Sequence, residues 1–445
     1  MKNIIHLFVI STLLMSCSKL VNVVDVDPPN NLVPENVAKT AEGARYLLNG
    51  TYAMLHDQYY YMFTEMVPAA LTGTATRGGF LLSQQFVDNA VMSNLADVAN
   101  IWGAFYKVVD HANWTIQLTT QLPTSELSET EKNSIIGEAR ALRAMAHFDA
   151  LRYFGEFYDL ESEFGVVIRT EPTDFTNRLK ARSSVAETYQ LILDDLDFAI
   201  ANAPDFSTPI FFSNGSAKAL KARVLLYRGE YEEAALLANE VIEQEPRSLS
   251  PTFSQVFSTG FNAPELLFVR ATDAVTYASD RKRFTYTGNH VVAGPFLKTL
   301  MESDPRKPAT YAANGGMVKV NNTAFYSPTY FIRLAEMYLI KAEGLARIEA
   351  PLDDAKEPLE AIMSRAWDTP TVSTATSHTA LLDEIYTEII KELCFENGSD
   401  WFASIRFGKI SEVKPEVTTT DQYILPIPDG EIDANPLFGD QNDGY

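Results

Sequence analysis

A chain of 445 residues that is 46% hydrophobic holds enough apolar material for one large domain or two or three smaller ones, each with its own core. Its 58 Asp and Glu against 36 Lys and Arg leave a formal charge of −22, which repels phosphate backbones and excludes general nucleic-acid binding. With only two cysteines, Cys17 and Cys394, no disulfide framework carries the stability.

The chain opens on Met1-Lys2-Asn3, an apolar run from Ile4 to Met15, and Ser16-Cys17. This is the charged-then-apolar order of an export signal, too short for the roughly 20 apolar residues of a membrane span. Leu14-Met15-Ser16-Cys17 resembles the lipobox of bacterial lipoproteins. That resemblance implies that residues 1–16 are a signal peptide and that Cys17 bears a lipid such as palmitate. Removing Lys2 with the leader gives 35 − 58 = −23 for the remaining chain. Residues 17–36, with Asp25, Asp27, Pro28, Pro29 and Pro34, read as an extended tether. No later segment is long and apolar enough to span a bilayer.

From residue 37 to 445 helical periodicity dominates, so the predicted fold is mainly α, a single domain built on about four helical pairs. The first pair spans 41–122, joining Ala41–His56 to Ala99–Leu122. The second spans 131–203, joining Glu138–Phe154 to Val185–Ala201. The clearest pair spans 216–246. There Ala219, Ala222 and Ala234 permit close helix contact, Gly229 makes the turn, and Pro246 ends the second helix. The last spans 329–366, a helix beginning at Tyr330 and returning through Leu352 to Ala366. The alanine spacing is that of a tetratricopeptide-like solenoid. Irregular insertions at 58–96 and 249–320 interrupt the pairs, with shorter ones at 155–182 and 369–376. They are too rich in aromatics for disorder, so they are expected to be packed and to carry specificity.

Trp102 with Tyr106 and Asn113, the arginine-rich run Glu138–Gly155, Ser184–Ile200, the repeat at Ala217–Ile242, Asp304-Pro305-Arg306, Arg333–Glu343, Glu392–Glu396 with Trp401, and Leu425–Pro436 follow one another along the chain. In that order and spacing they resemble the SusD/RagB-like outer-membrane lipoproteins of the Bacteroidota. Where that family usually carries Gly-His-Arg, this chain reads Gly398-Ser399-Asp400, and Ala403-Ser404 replaces an Asp-Leu. The resemblance implies a helical solenoid bearing a loop-rich ligand-binding half that captures oligosaccharide, or in some members peptide. It also implies a SusC-like TonB-dependent transporter as partner, with this chain as a lipid-anchored lid on the outer membrane, facing the cell exterior.

Motifs for a zinc hydrolase, a dithiol redox centre, a phosphate loop or a serine nucleophile are missing, and the six histidines lack ligand spacing. The expectation is therefore a non-enzymatic protein with no cofactor and no metal. Arg140, Arg143 and Arg152 read as ion-pair partners of neighbours such as Glu138 and Asp149, and Trp102 and Trp401 as core anchors. Sugar recognition needs flat rings to stack on pyranose faces, with polar groups for the hydroxyls. The ligand-binding candidates are accordingly Tyr59, Tyr60, Tyr61 and Arg77 from the first insertion and Tyr277, Asp280, Arg281, Phe284 and Tyr286 from the second. The competing expectation is a structural or scaffolding lipoprotein, favoured if Tyr60 and Tyr286 are buried and no aromatic cleft joins the two insertions. Cys394 reads as buried packing in a helical segment.

Overall fold

The computed structural model describes residues 39–244, 247–270 and 272–445. Cys17, the signal peptide, the tether and Pro246 lie outside them. Counting helices of eight residues or more, the order is α1 (Ala41–Met54), α2 (Phe63–Thr72), α3 (Ala96–Gln121), α4 (Glu129–Phe154), α5 (Val185–Asn202), α6 (Asn214–Arg228), α7 (Tyr231–Glu243), α8 (Leu334–Arg347), α9 (Leu352–Trp367), α10 (His378–Leu393) and α11 (Ser399–Arg406). The predicted mainly helical fold holds. Each long helix packs along its neighbour in turn: α1 on α3, α3 on α4, α4 on α5, α5 on α6, α6 on α7, α7 on α8, and α8 on both α9 and α10.

Local chemistry sets the ends. Ser128 with Glu131 and Ser184 with Glu187 form reciprocal capping boxes that satisfy free N–H groups at the starts of α4 and α5. Gly229 closes α6 at φ +82°, a left-handed conformation that costs glycine least. The facing sides of α6 and α7 are small, with Ala219, Ala222, Ala234 and Ala238 all fully buried.

Four short strands tie the irregular segments to this stack. β1 (Ala75–Arg77) pairs antiparallel with β3 (Val291–Ala293), Arg77 opposite Val291. β2 (Leu266–Arg270) pairs antiparallel with β4 (Thr329–Arg333), and every residue of both strands is buried.

Three expectations need correction. The helix predicted from Tyr330 begins at Leu334, because Tyr330–Arg333 pairs with β2 and a short buried apolar run fits either element. The insertion 58–96 contains α2, whose ten residues are all buried around an interior Pro68, so it has no polar face to betray its period. Finally, α10 ends at Leu393. Cys394 is its cap, and Phe395 at φ +63° turns the chain away. The thiol is fully buried, and burial pushes its pKa up to about 12.

That turn closes a buried ionic cluster. Arg306 reaches Asp304 (2.9 Å), Glu388 (2.6 Å) and Glu392 (3.2 Å). Arg333, between β4 and α8, meets Glu265, Glu392 (3.1 Å) and Glu396 (2.6 Å). Arg365 from α9 pairs with Glu265 (2.9 Å) and Glu392. Lys319 meets Glu396 (2.5 Å), and Lys391 meets Asp304 at the edge (3.3 Å). Five cations thus face five carboxylates, which lets so many charges lie out of water. Burial alone would raise the Glu392 carboxyl, but Arg365, Arg333 and Arg306 outweigh it and hold it far below the usual range.

The arginines of α4 are ion-paired as well, with one change of partner. Arg152 pairs with Asp149 at 2.5 Å, whereas Arg143 takes Asp195 of α5 at 2.6 Å and Arg140 lies 3.8 Å from the same carboxylate. Glu138 turns instead toward α1 and accepts the Tyr52 hydroxyl at 2.5 Å. Trp102 and Trp401 are buried.

Candidate functional site

The β1–β3 ladder brings Arg77-Gly78-Gly79-Phe80 against Asn289-His290. The N–H groups of Gly78 and Gly79 both donate to the His290 carbonyl, at 3.0 and 3.1 Å. A Cβ on Gly79 would lie 2.1 Å from His290 Nδ1, so glycine is required for this approach. The His290 ring then sits against two others, 4.6 Å from Phe80 edge-on and 5.1 Å from Phe284 at 34°. Phe80 is 68% exposed and Phe284 48%. Large rings held in place and left facing water are what a stacking ligand needs.

Beside this strip opens a cleft of about 360 Å³. Gln58, Tyr59, Phe63, Phe80, Asp97 and Arg281 line it. Asp57 caps the helical turn Gln58–Tyr61 by accepting from Tyr59 N at 3.0 Å, and the Tyr59 and Phe63 rings lie 4.5 Å apart. Arg281 begins the short helix Arg281–Thr287, its guanidinium 5.4 Å from the Phe284 ring. Arg77 is exposed, and its Nε donates to the Gly79 carbonyl at 2.9 Å. Burial raises the Asp97 carboxyl.

Under the cleft the two segments are bound by buried ions. Lys282 Nζ lies 2.5 Å from Glu65 and donates to the Pro328 carbonyl at 2.8 Å, and the Tyr286 hydroxyl reaches Glu65 at 3.3 Å. Burial raises Glu65 to about 7 in spite of Lys282, and burial likewise lowers Lys282. Asp280 accepts from Lys282 N, the Tyr61 hydroxyl (2.7 Å) and Arg270 (2.8 Å). Burial works to raise the Asp280 carboxyl, but Arg270 and these hydrogen bonds outweigh it and leave it lowered.

Of the nine residues the sequence singles out, Tyr59, Arg77, Arg281 and Phe284 stand at or beside the cleft. The other five are core. Tyr60 donates to Asp149 at 2.8 Å, Tyr61 to Asp280, Tyr286 to Glu65, and Tyr277 lies 3.2 Å from the Ser327 hydroxyl, while Asp280 caps the Arg281 helix. The helical turn at 58–61 points successive tyrosines about 100° apart, so one faces out and two face in. Tyr60 and Tyr286 are therefore buried, yet an aromatic cleft does join the two insertions. Sequence reasoning missed His290 and Asp97, and counted Phe63 and Phe80 only among the aromatics that pack the insertions. The Gly78-Gly79 pair before Phe80 was the available signal for a tightly approached backbone. Among the described residues no group of three or more His, Cys, Asp or Glu is placed to hold a metal ion.

Comparison with known proteins gives a consistent result. Residues 24–226 match a SusD-like family described as starch-binding associating with outer membrane, and residues 269–416 match the SusD family. A SusD-like protein P38 of Formosa agariphila is 28% identical over 260 residues, 57% of this chain but only 48% of that relative. A putative sugar binding protein of Bacteroides vulgatus superposes with a TM-score of 0.78 at 23% identity, over 92% of this chain and 99% of the other. A laminarin binding SusD-like protein gives 0.75 at 24% identity, over 92% and 100%.

Proposed function

Since the chain belongs to the SusD family, we propose that it is a non-catalytic oligosaccharide-binding lipoprotein of the outer membrane, anchored through Cys17 and facing the cell exterior. It captures a nutrient glycan and passes it to a SusC-like TonB-dependent transporter, which supplies the transport energy. The observation that carries the binding reading is the strip of Phe80, His290 and Phe284 rings beside the cleft, held by the β1–β3 ladder and lying next to donors and acceptors for hydroxyls. The laminarin binding relative in the same fold supports a sugar as ligand. Anchoring through lipid suits a chain in which no helix of the described residues is long and apolar enough to cross a membrane.

Glycan-array screening of the full chain in detergent, followed by product analysis, tests this reading. Binding without turnover is expected, and release of reducing ends overturns the non-catalytic assignment. Failure to bind any glycan, together with retention of a protein partner, favours the scaffolding alternative. Protease shaving of intact cells tests orientation: degradation is expected, and full protection contradicts an exterior position.

A further inference from the structure

We propose that the ligand of this cleft is an acidic oligosaccharide, whose sugar faces lie on Phe80 and Phe284 while its anionic substituents, carboxylate or sulfate, pair with Arg77 and Arg281. The inference rests on the sugar-binding reading above and adds the charge class of the glycan.

The argument begins with the surplus of acid. In a chain with 58 carboxylates and 36 basic side chains, carboxylates outnumber the cations that could pair with them. The cations just under the cleft are paired: Arg270 holds Asp280, and Lys282 holds Glu65. Lys107 nearby holds Asp57. Arg77 and Arg281 enter no ion pair among the described residues, although both are exposed and both flank the aromatic strip. Arg77 is tied to Gly79, whose backbone abuts His290, and Arg281 lies by Phe284, so both cations border the strip of rings. Guanidinium groups left unneutralised along the border of a stacking platform match a chain of pyranoses with anionic groups at intervals. A neutral glycan would stack equally well but would leave both guanidinium groups unpaired.

One group on the cleft wall opposes this, the Asp97 carboxylate. It enters no ion pair among the described residues, and burial raises its pKa. Asp97→Asn removes the one opposing charge on the cleft wall and is expected to strengthen binding of an acidic ligand.

Calorimetry on the full chain in detergent with three probes decides the matter: a laminarin oligosaccharide (neutral), a polygalacturonate oligosaccharide (carboxylate) and a carrageenan oligosaccharide (sulfate). At about 50 mM salt, at least one acidic probe is expected to bind about tenfold tighter than the neutral one, and to weaken several-fold at about 500 mM. The preferred acidic probe tells carboxylate from sulfate. The double variant Arg77→Gln with Arg281→Gln should lose about tenfold for that probe with an unchanged thermal midpoint. If the laminarin oligosaccharide binds at least as tightly as both acidic probes, with no effect of salt or of the arginine variants, the acidic assignment is overturned. The sugar-binding reading survives that result provided Phe80→Ala weakens laminarin binding about tenfold. If no probe binds, both readings fall together.

Discussion

Arginine does opposite things in two regions of this molecule. In the cluster beneath β4, Arg306, Arg333 and Arg365 are sealed from water and each faces at least two carboxylates. At the aromatic cleft, Arg77 and Arg281 face water and enter no ion pair among the described residues. The first arrangement is closed electrostatically, since every charge is cancelled in place and nothing is left to offer a ligand. The second is open, so any anion that arrives gains the full interaction. Where a guanidinium's partner sits, inside the fold or outside it, separates a charge that holds the structure from one that recognises.

The largest effect expected from this contrast is on stability. Arg333→Ala should cost about 3–5 kcal/mol in denaturant unfolding, because it takes one cation out of the sealed cluster and leaves Glu265, Glu392 and Glu396 with more buried negative charge than their remaining partners cancel. Arg281→Ala should stay within about 0.5 kcal/mol of the parent chain. Equal stabilities for the two variants would erase the distinction. Next in size, Gly79→Val drives a side chain into His290, and should cost about 1–3 kcal/mol as well as glycan affinity. If affinity survives that change, the close approach of the two loops does not organise the site. Phe80→Ala should leave unfolding unchanged while weakening glycan binding about tenfold, close to 1.4 kcal/mol, as read by calorimetry.

The smallest expected effect concerns pH and separates paired from unpaired buried carboxylates. Burial raises Glu138 to about 7 and Asp400 to about 6, above the unfolded values of roughly 4. The folded protein therefore binds more protons than the unfolded chain between those limits, and these groups lower stability as pH rises through that window. Glu392, depressed by its arginines, works the other way and withdraws stability as pH falls below about 4. Glu138→Gln should flatten the decline between about pH 4 and 7 and gain on the order of 1 kcal/mol at pH 8. Superimposable thermal midpoints across pH for parent and variant would refute this.

The helices were legible wherever a short-range rule sufficed. Ser184 with Glu187 marks the start of α5 and Gly229 the end of α6, because a cap needs only neighbours in sequence. α2 was not legible, since its ten residues are buried on all sides and have no polar face. The candidate site was legible only in part, for a related reason. A tyrosine in a loop reads the same whether it faces water or a hidden carboxylate. Tyr60 finds Asp149, Tyr61 finds Asp280 and Tyr286 finds Glu65, partners 89, 219 and 221 positions away. Only the folded arrangement reveals which ring is left over.

The β1–β3 ladder also bears on the order in which the chain assembles. Arg77 and Val291 are opposite each other in the ladder yet far apart in sequence, so closing it carries a large loop-closure entropy. The helices between them pack mostly on neighbours in chain order and can form first, leaving the aromatic strip to appear late in folding. Recovery of glycan binding after dilution from denaturant should therefore lag behind recovery of helical circular dichroism, so that recognition itself serves as a clock for completed folding.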